Sequence, residues 1–485
     1  MQYPLSEDLR PIADDVLLPP KWLLSLVGEA VNSLTPMLNG QNDGQDIPNG
    51  DGRTVKVKPV AGSGSLPDHD NSTGRPLNVI LKENRRMTPE SHWQDVRHLA
   101  FDTQSTASYG PGDVLTIYPH NATEDVNQII DLMGWSGIAD KLVEFVSTNG
   151  SGRHPCPPLS ALYSSPIMFR DLLTNHYDLT AIPRRSFFSL IAHFTTDQFH
   201  KDRLLEFTKP EYVDELYDYT TRPRRSILEV LQEFESVKIP WQWAANVLPE
   251  LRGRQFSIAS GGQLKQTAAG FTRFELLVAI VKYKTVIKKI RQGVCTRYLA
   301  GLQEGVHLTV TLQTGGLRIT QAEAARPVIM IGPGTGVAPM RALIWERLQW
   351  KERMRLDGQI SGEHTSCDSI LFFGCRNKDS DNFYKDEWDR LQGHMPLRVF
   401  AAFSRDQRQK IYVQDLIRQE AKEVFRLLHS FGGIIYVCGS SGKMPTAVRA
   451  ALSDVFRQCN QTSQADAEAS VKRLEKEGRY KQETW

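Results

Sequence analysis

The 485-residue sequence has no apolar run near the roughly 20 residues that a membrane helix requires. Its N-terminus has no basic region followed by an apolar one, so no signal peptide is apparent. The six cysteines form no C-x-x-C pair and no zinc-like spacing, which favours reduced thiols and predicts no metal site. By elimination, these absences predict a cytoplasmic location.

An excess of charge of one sign is also missing. The 58 lysines and arginines are nearly balanced by 56 acidic residues, and the formal net charge is +2. This balance gives no electrostatic case for binding nucleic acid or a membrane surface, so neither is predicted as a partner. A content of 40% hydrophobic and 24% charged residues is typical of a globular protein, and the length predicts more than one domain.

The order of the patterns predicts three regions. Residues 37–75 are polar and glycine-rich without an aromatic residue, so residues 1–75 are predicted to be a connector and flexible linker. Strand patterns lie at 77–81, 96–101, 113–118, 254–259, 274–283 and 307–313. They predict an antiparallel β-barrel or sandwich over 76–325, interrupted by an all-helical insertion at about 121–247.

From residue 326 onward, apolar strands alternate with helical stretches. After the strand that begins at Pro327, further strands are predicted at 370–373, 397–403 and 434–437, each before a loop and a helix. This alternation predicts a doubly wound parallel sheet over 326–485. The predicted fold class is therefore α/β plus β.

A glycine turn follows the first strand of this region. Gly332, Gly334 and Gly336 let backbone amides approach an anion, and the helix beginning near Val337 adds the positive end of its dipole. The spacing is not G-x-G-x-x-G, and no lone acidic residue follows a second strand to hold a ribose diol. The pattern therefore predicts a dinucleotide phosphate site but weakens an ordinary NAD dehydrogenase.

Two upstream segments add candidate ligand contacts. In the strand that begins at Arg254, a period of two puts Arg254 and Phe256 on the same side. Taken alone, a core phenylalanine and a snorkelling arginine explain that strand better than a ligand site does. Gly293 begins a helix in which Thr296 adds a hydroxyl beside free backbone amides, although by itself this is a plain capped helix.

Together and in this order, these segments resemble the ferredoxin-NADP reductase superfamily. The closest resemblance is to its diflavin reductase group, and within it to the NADPH-dependent diflavin oxidoreductases of cytosolic iron–sulfur assembly. It covers about residues 75–485, including the helical insertion. It implies that 76–325 bind FAD, that 326–485 bind NADP, and that hydride passes from NADPH to FAD before single electrons leave.

The resemblance assigns residues to FAD. Arg224 and Arg254 would help hold it, Phe256 would stack on the isoalloxazine, and Ser257 would place its hydroxyl near flavin N5. For Arg224, a solvated basic turn is an equally good explanation. The predicted FAD contacts are Arg224, Arg254, Gln255, Phe256, Ser257, Trp485 and the pyrophosphate cradle Gly293, Val294, Cys295 and Thr296.

The resemblance also assigns an NADPH site. Its predicted contacts are Gly334, Thr335, Gly336, Ser404, Arg405, Lys410, Ile411, Tyr412, Val413 and Gln414. A 2′-phosphate adds nearly two negative charges, and hydroxyls and cations suit that group. A bare ribose diol would instead call for a carboxylate. The charges alone fit a solvated loop, but the S-R-x-x-x-x-x-K-x-Y-x-Q match favours NADPH over NADH.

Four residues are predicted to be catalytic: Ser257, Cys438, Glu483 and Trp485. Isolated cysteines are mostly packing residues, yet the resemblance implies that Cys438 assists hydride transfer with Glu483 as its acidic partner. Trp485 would cover the flavin face and swing away before hydride transfer. Two departures from the group are Glu483 in place of an aspartate, and Ala447 where an aspartate is usual near the cofactor.

The electron exit is the open part of this prediction. Nothing before residue 75 matches the Ser/Thr-rich phosphate loop of a flavodoxin-like FMN domain, so the sequence predicts a truncated gene, a fragment or a natural single-flavin form. FMN is predicted as a cofactor only if such a domain exists. The predicted acceptor is an FMN domain in cis or in trans, and ultimately an anamorsin-type iron–sulfur protein. The alternatives are a stand-alone single-flavin NADPH reductase with another acceptor, and a catalytically silent interaction protein, against which the four catalytic candidates speak.

Overall fold

The computed structural model describes residues 22–26, 74–147, 166–356 and 368–485. Of the predicted connector and linker over 1–75, all but residues 22–26, 74 and 75 lies outside the described residues, and so do Cys156 and Cys367. The chain forms two compact units. One contains Gly74–Pro119 and Gly253–Trp485, and the other contains His120–Arg252 together with the strand at 22–26.

Strands occur in both units. In chain order they are β1 Trp22–Leu26, β2 Arg75–Arg86, β3 Val96–Thr103, β4 Val114–Ile117, β5 Leu142–Ser147, β6 Ile167–Met168, β7 Arg254–Ser257, β8 Thr272–Ala279, β9 Lys282–Lys284, β10 Ile290–Gln292, β11 His307–Gln313, β12 Val328–Ile331, β13 Ser369–Cys375, β14 Leu397–Phe403, β15 Ile434–Gly439 and β16 Tyr480–Thr484.

The α-helices are mostly short, and 3₁₀ and π turns join several of them. In chain order they are α1 Thr123–Met133, α2 Phe169–Asn175, α3 Arg185–Ile191, α4 Gln198–Glu206, α5 Val213–Leu216, α6 Ile227–Glu233, α7 Ala244–Val247, α8 Val294–Gly301, α9 Val337–Leu356, α10 Lys385–Leu391, α11 Val413–Gln419, α12 Ala421–Phe425, α13 Met444–Asn460 and α14 Gln464–Lys476. Among the described residues, none of these helices has the length and apolarity needed to cross a membrane.

An antiparallel sheet forms a nearly closed barrel in the first unit. Its strand order is β7-β4-β11-β2-β3-β8, and all neighbours are antiparallel. Just beyond β7, Ile258 bridges to Leu276 of β8, so the two edges of the sheet approach each other. Alternate residues such as Leu77, Val79 and Leu81 point into one buried core, as the period-two pattern predicts. The predicted barrel is confirmed.

A five-stranded parallel sheet occupies the same unit. Its order is β14-β13-β12-β15-β16, so the first strand, β12, lies at the centre and the chain winds outward in both directions. Along β12, Met330 packs into the core on one face and Ile329 into the core on the other. Helices therefore cover both faces, and the predicted doubly wound sheet is confirmed.

A buried ion cluster joins the barrel to the parallel sheet within this unit. Arg341 of α9 donates to Glu275 of β8 at 2.6 Å, to Glu387 of α10 at 2.7 Å and to the Ala259 carbonyl at 3.0 Å. An added Cβ at Gly261 would lie 1.9 Å from the Ala342 carbonyl oxygen, so the two backbones are in direct contact. This packing fixes the end of the barrel against the helix that follows the glycine turn.

The second unit is largely helical, but it is not all-helical as predicted. Helices α1 to α7 surround a core that contains Trp135, Phe169 and Tyr177. Antiparallel pairing also joins β1, β5 and β6 into a three-stranded sheet. The prediction of an all-helical insertion was wrong because the sequence Leu-Val-Glu-Phe-Val-Ser of β5 is β-branched and alternating, and β1, far away in the chain, supplies its partner.

Candidate functional site

The glycine turn lies at the carboxyl end of the central strand β12, where the strand order reverses between β12 and β15. In open α/β sheets, ligands bind at this point. Gly334 has a φ of +59°, and no described atom lies within 4 Å of where its Cβ would be. At Gly336, by contrast, a Cβ would lie 2.2 Å from the Cys438 carbonyl oxygen. The turn is therefore open on its outer side and pressed against β15 on its inner side.

Strand β16 brings two of the predicted catalytic residues together. It pairs in parallel with β15, and the register places Glu483 beside Cys438. Cys438 is fully buried, and burial together with the Glu483 carboxyl raises the pKa of its thiol well above the ordinary value. At neutral pH, Cys438 therefore keeps its proton.

Glu483 is the acid of this pair. Its Oε1 accepts a long bond of 3.5 Å from the Gly316 amide, and its buried Oε2 has no hydrogen-bond partner among the described residues. Burial raises the pKa of Glu483, which favours the protonated acid. A buried polar atom without a partner at a sheet edge is a feature that a bound ligand would satisfy.

The terminal residue continues the sheet. The Trp485 amide donates to the Gly439 carbonyl at 3.1 Å, and its own carbonyl accepts from the Ser441 amide at 2.9 Å. Its indole is 53% exposed. The backbone of Trp485 is thus fixed beside Gly439 and Ser441, while about half of the residue is exposed to solvent.

A cationic loop lies at the outer edge of the sheet, after β14. Ser404 is buried and donates from its amide and its hydroxyl to the Cys375 carbonyl, at 3.0 and 3.2 Å. The Arg405 amide donates to the Arg376 carbonyl at 2.8 Å. Burial and the Arg405 charge lower the pKa of Arg376, so two like charges converge here. Such a cluster favours an anion.

Other predicted contacts lie in the same loop and in helix α11. Arg405, Lys410 and Tyr412 are exposed, and the Tyr412 amide donates to Asp415 at 2.9 Å. Ile411 and Gln414 are partly buried, whereas Val413 is buried and begins α11. The loop therefore presents its polar groups to solvent and anchors itself through its apolar ones.

Two barrel elements predicted to hold FAD, β7 and the start of α8, lie close together. Arg254 lies close enough to the buried Cys295 for its charge to oppose the effect of burial, which raises the pKa of that thiol to about 12. Phe256 is partly buried against the barrel core, and the exposed Gln255 donates to Gln313 at 2.8 Å. The structure thus brings the Arg254 strand to the turn before helix α8.

That turn is tied by its own threonine. The Thr296 hydroxyl accepts from the Val281 amide at 3.0 Å and donates to the Gly293 carbonyl at 3.3 Å. No side chain caps the N-terminus of α8 at Gly293. The first-turn amides of Val294, Cys295 and Thr296 are therefore the donors that remain for an anion.

Arg224 belongs to the second compact unit, and its own backbone is unusual. It is exposed and has a φ of +54°, which strains a residue that has a Cβ. Its neighbour Arg225 stacks over the Tyr219 ring at 4.2 Å. Strain of this kind is found at functional sites, and the FAD role of Arg224 stays a prediction.

Residues 69–298 match the FAD binding domain family, and residues 330–450 match the oxidoreductase NAD-binding domain family. The chain is similar along its full length to proteins named NADPH-dependent diflavin oxidoreductase 1 from Emericella nidulans (49% identical), Aspergillus fumigatus (48%) and Danio rerio (34%), and it covers 74% of each. The chain belongs to the NADPH-dependent diflavin oxidoreductase family.

Membership in the diflavin oxidoreductase family confirms the predicted enzyme class, a nicotinamide-dependent flavoprotein oxidoreductase with FAD. The residues present fit both cofactors. The open Cβ position at Gly334 and the unpaired Glu483 Oε2 fit a dinucleotide at the parallel sheet. The uncapped α8 amides near Arg254 fit a second phosphate group at the barrel.

Three features of this diflavin oxidoreductase site were not found from the sequence. Strand β16 was missed because Tyr480–Thr484 is mostly polar. Arg376 was missed although it directly follows β13, a position that signals the ligand edge of the sheet. The Gly315-Gly316 pair after β11 was missed, and two adjacent glycines there were the available signal.

Proposed function

We propose that this chain oxidises NADPH with FAD and passes single electrons to an FMN domain, in cis or in trans, and ultimately to an iron–sulfur protein of the anamorsin type. The observation that carries the proposal is the junction at Gly336, where the phosphate turn touches the backbone of Cys438 while β16 sets Glu483 beside the same residue. One backbone contact thereby links the turn proposed to bind phosphate with the residue proposed to assist hydride transfer.

The chain's own residues divide between two ligands. Under this proposal, FAD would be held by the α8 amides with Arg254, and Phe256 would stack on the flavin. Arg224, in the second unit, stays a predicted FAD contact. NADPH is held by Gly334, Thr335 and Gly336 at its pyrophosphate and by the loop after β14 at its 2′-phosphate. Bound FAD supplies an acceptor for hydride and a carrier that releases electrons singly.

Under this proposal, the catalytic candidates orient the nicotinamide, and raised pKa values favour the protonated forms of two of them. Cys438 presents a neutral thiol because its pKa is raised, so no thiolate charge opposes an approaching ligand. Glu483, with its pKa also raised, offers Oε2 as a hydrogen-bonding group at the same edge. Ser257, at the end of β7, adds a hydroxyl from the barrel side. These roles orient the nicotinamide and exclude water.

Preference for NADPH is supported by the convergence of cations. Arg376 and Arg405 repel each other without an anion, and Arg376 also lies 3.8 Å over the Trp93 ring. A 2′-phosphate would relieve that repulsion by accepting hydrogen bonds from the two guanidinium groups. A ribose diol carries no charge to do so.

The remaining assignments belong to the same proposal. We assign the FAD domain to 76–325, with the connecting insertion at about 121–247, and the NADP domain to 326–485. An FMN domain as first acceptor is supported by the diflavin name of the relatives. Cytosolic iron–sulfur assembly and a cytoplasmic location remain predictions.

A spectroscopic experiment tests the proposed function. The purified chain, reconstituted with FAD, should show a flavin absorption spectrum that NADPH bleaches within seconds under anaerobic conditions and that NADH bleaches more slowly. Ferricyanide should then be reduced catalytically. A chain that takes up no FAD, or whose flavin NADPH does not reduce, would leave the silent interaction protein as the better explanation.

A further inference from the structure

The Gly315-Gly316 pair lies between two carboxyl groups. The Gly315 amide donates to Asp113 Oδ1 at 3.3 Å, and the Gly316 amide donates to Glu483 Oε1 at 3.5 Å. Because these two amides are consecutive, one short turn holds both side chains. A movement of the turn therefore moves the Glu483 carboxyl relative to Cys438.

The turn itself is fixed by a second glycine turn. A Cβ at Gly315 would lie 1.7 Å from the Gly112 carbonyl oxygen, and Gly112 has a φ of +89°. Asp113 closes that second turn, since its Oδ2 accepts the Gly110 amide at 2.8 Å. The two turns are thus in backbone contact, and Asp113 bonds to both.

The backbone of Asp113 also lies beside the strand that carries Ser257, another catalytic candidate. The carbonyl of Asp113 accepts from the Ile258 amide at 3.0 Å, and the next residue, Val114, pairs with Ser257. One residue therefore connects the strand of Ser257 with the turn that touches Glu483.

We propose that Asp113 is a positioning residue, which anchors the Gly315-Gly316 turn and thereby holds the Glu483 carboxyl in register with Cys438. The inference rests on the proposed function only for the role given to Glu483. Asp113 itself touches neither Cys438 nor Glu483 by a direct hydrogen bond among the described residues, so its effect passes through the turn and through its charge.

The charges around the pair have a definite sign. Burial and then the Asp113 charge raise the pKa of Glu483, while the Gly316 amide opposes them. Burial raises the pKa of Asp113, against which the amides of Gly110 and Gly315 and the Lys265 charge act. On the other side, Glu483 faces the neutral Cys438. Removing the Asp113 charge should therefore make Glu483 easier to ionise.

Infrared titration of the purified full chain measures this directly. The carbonyl band of the protonated Glu483 is assigned by its loss in Glu483→Gln, and its intensity is followed against pH before and after FAD is added. Asp113→Asn keeps an acceptor for one amide and removes the charge, so the midpoint should move to lower pH. The readout does not depend on activity.

A second variant tests the turn rather than the charge. Gly316 is not in the left-handed region, and a Cβ there would lie 3.7 Å from Glu483 Oε1. That is an ordinary van der Waals distance, so Gly316→Ala should fold and leave the same midpoint unchanged. In Gly315→Ala the added Cβ would lie 1.7 Å from the Gly112 carbonyl oxygen, so the turn and its Gly316 amide should shift and the midpoint should move to higher pH.

Asp113→Asn removes only the charge, whereas Asp113→Ala also removes the acceptor that holds the Gly315 amide. If Asp113 positions the turn, the midpoint should lie at higher pH in Asp113→Ala than in Asp113→Asn, and equal midpoints in the two variants would overturn that role.

A matched control and a double variant complete the test. Asp102→Asn removes another buried carboxylate of the barrel, one paired with Arg273 at 2.7 Å, and should leave the Glu483 midpoint unchanged. In stopped-flow reduction by NADPH, Asp113→Asn should shift the pH dependence of the rate constant, but not in a Glu483→Gln background. An unchanged Glu483 midpoint in Asp113→Asn, or equal shifts in both backgrounds, would overturn the inference. A wild-type chain whose flavin NADPH does not reduce would instead overturn the proposed function.

Discussion

The two ends of the proposed nucleotide site differ in the charge of their side chains. At the outer edge of the parallel sheet, Arg405 and Lys410 are exposed to solvent and Arg376 lies next to Arg405. At the central end, Cys438 is fully buried and keeps its proton, and burial raises the pKa of the partly buried Glu483. The outer end presents cations to an anion, whereas burial at the central end disfavours charge.

The difference separates recognition from chemistry. Exposed cations act through long-range attraction that salt screens, and they contribute the same energy before and after hydride transfer. Buried neutral groups act only on a ligand that is already in place, where water is excluded and hydrogen bonds are strong. Variants at the outer end should therefore change which nucleotide binds, and variants at the central end should change how fast it reacts.

The largest effect is expected at the contact between the glycine turn and β15. In Gly336→Ala, the added methyl group would lie 2.2 Å from the Cys438 carbonyl oxygen, which is backbone and cannot give way. We expect a loss of about 3 kcal/mol in the free energy of unfolding, together with loss of flavin reduction by NADPH. Urea denaturation followed by tryptophan fluorescence measures the first quantity.

Gly334→Ala is the matched control in the same turn. Its Cβ would meet no described atom within 4 Å, so only the positive φ opposes it, at a cost of about 1 kcal/mol. Equal destabilisation by the two variants would mean that the turn is not pressed against β15, and the junction between phosphate binding and chemistry would lose its support.

A smaller effect, confined to recognition, is expected at the outer end. Replacing Arg405 and Lys410 by alanine removes two charge-assisted contacts and should lower kcat/KM for NADPH about a hundredfold, while NADH is little affected. The loss should shrink as salt is added, since the cations are exposed. Steady-state ferricyanide reduction at several ionic strengths measures both effects.

Arg408→Ala serves as the control for that pair. It removes an exposed cation from the same loop but from outside the family pattern. Losses that are equal for NADPH and NADH, or a loss in Arg408→Ala as large as in the double variant, would show that Arg405 and Lys410 do not read the 2′-phosphate.

Features that depend on local patterns were predictable from the sequence. Each such feature occupies one continuous segment with a recognisable period or turn signal. They are the individual strands of the barrel and of the parallel sheet, the glycine turn and the cationic loop. The pairing of Glu483 with Cys438 was expected only from family resemblance, because β16 is a polar edge strand whose sequence signals no strand. Its position depends on hydrogen bonds to β15.

Long-range contacts could not be predicted from the sequence because they also depend on backbone interactions. Asp113 and Glu483 meet through glycine backbones, which carry no side-chain pattern to indicate a partner. The small sheet of β1, β5 and β6 was missed because the barrel strands β2, β3 and β4 separate β1 from β5 and β6 in the chain. In each case the deciding interaction is a backbone contact between segments that are distant in the chain.

The smallest effect is expected at Trp485, which follows the edge strand β16. If the Trp485 indole covers the flavin, the nicotinamide must displace it, and the binding energy of the 2′-phosphate drives that displacement. Removing the indole lowers this requirement, so Trp485→Ala should raise kcat/KM for NADH by about tenfold and change NADPH less. The backbone bonds to Gly439 and Ser441 survive the change, so β16 should remain in place. Trp485→Phe keeps a planar ring and should retain most of the NADPH preference. An unchanged NADPH to NADH ratio in Trp485→Ala would mean that recognition is complete at the outer end, and that the exposed indole plays no part in coupling it to the chemistry.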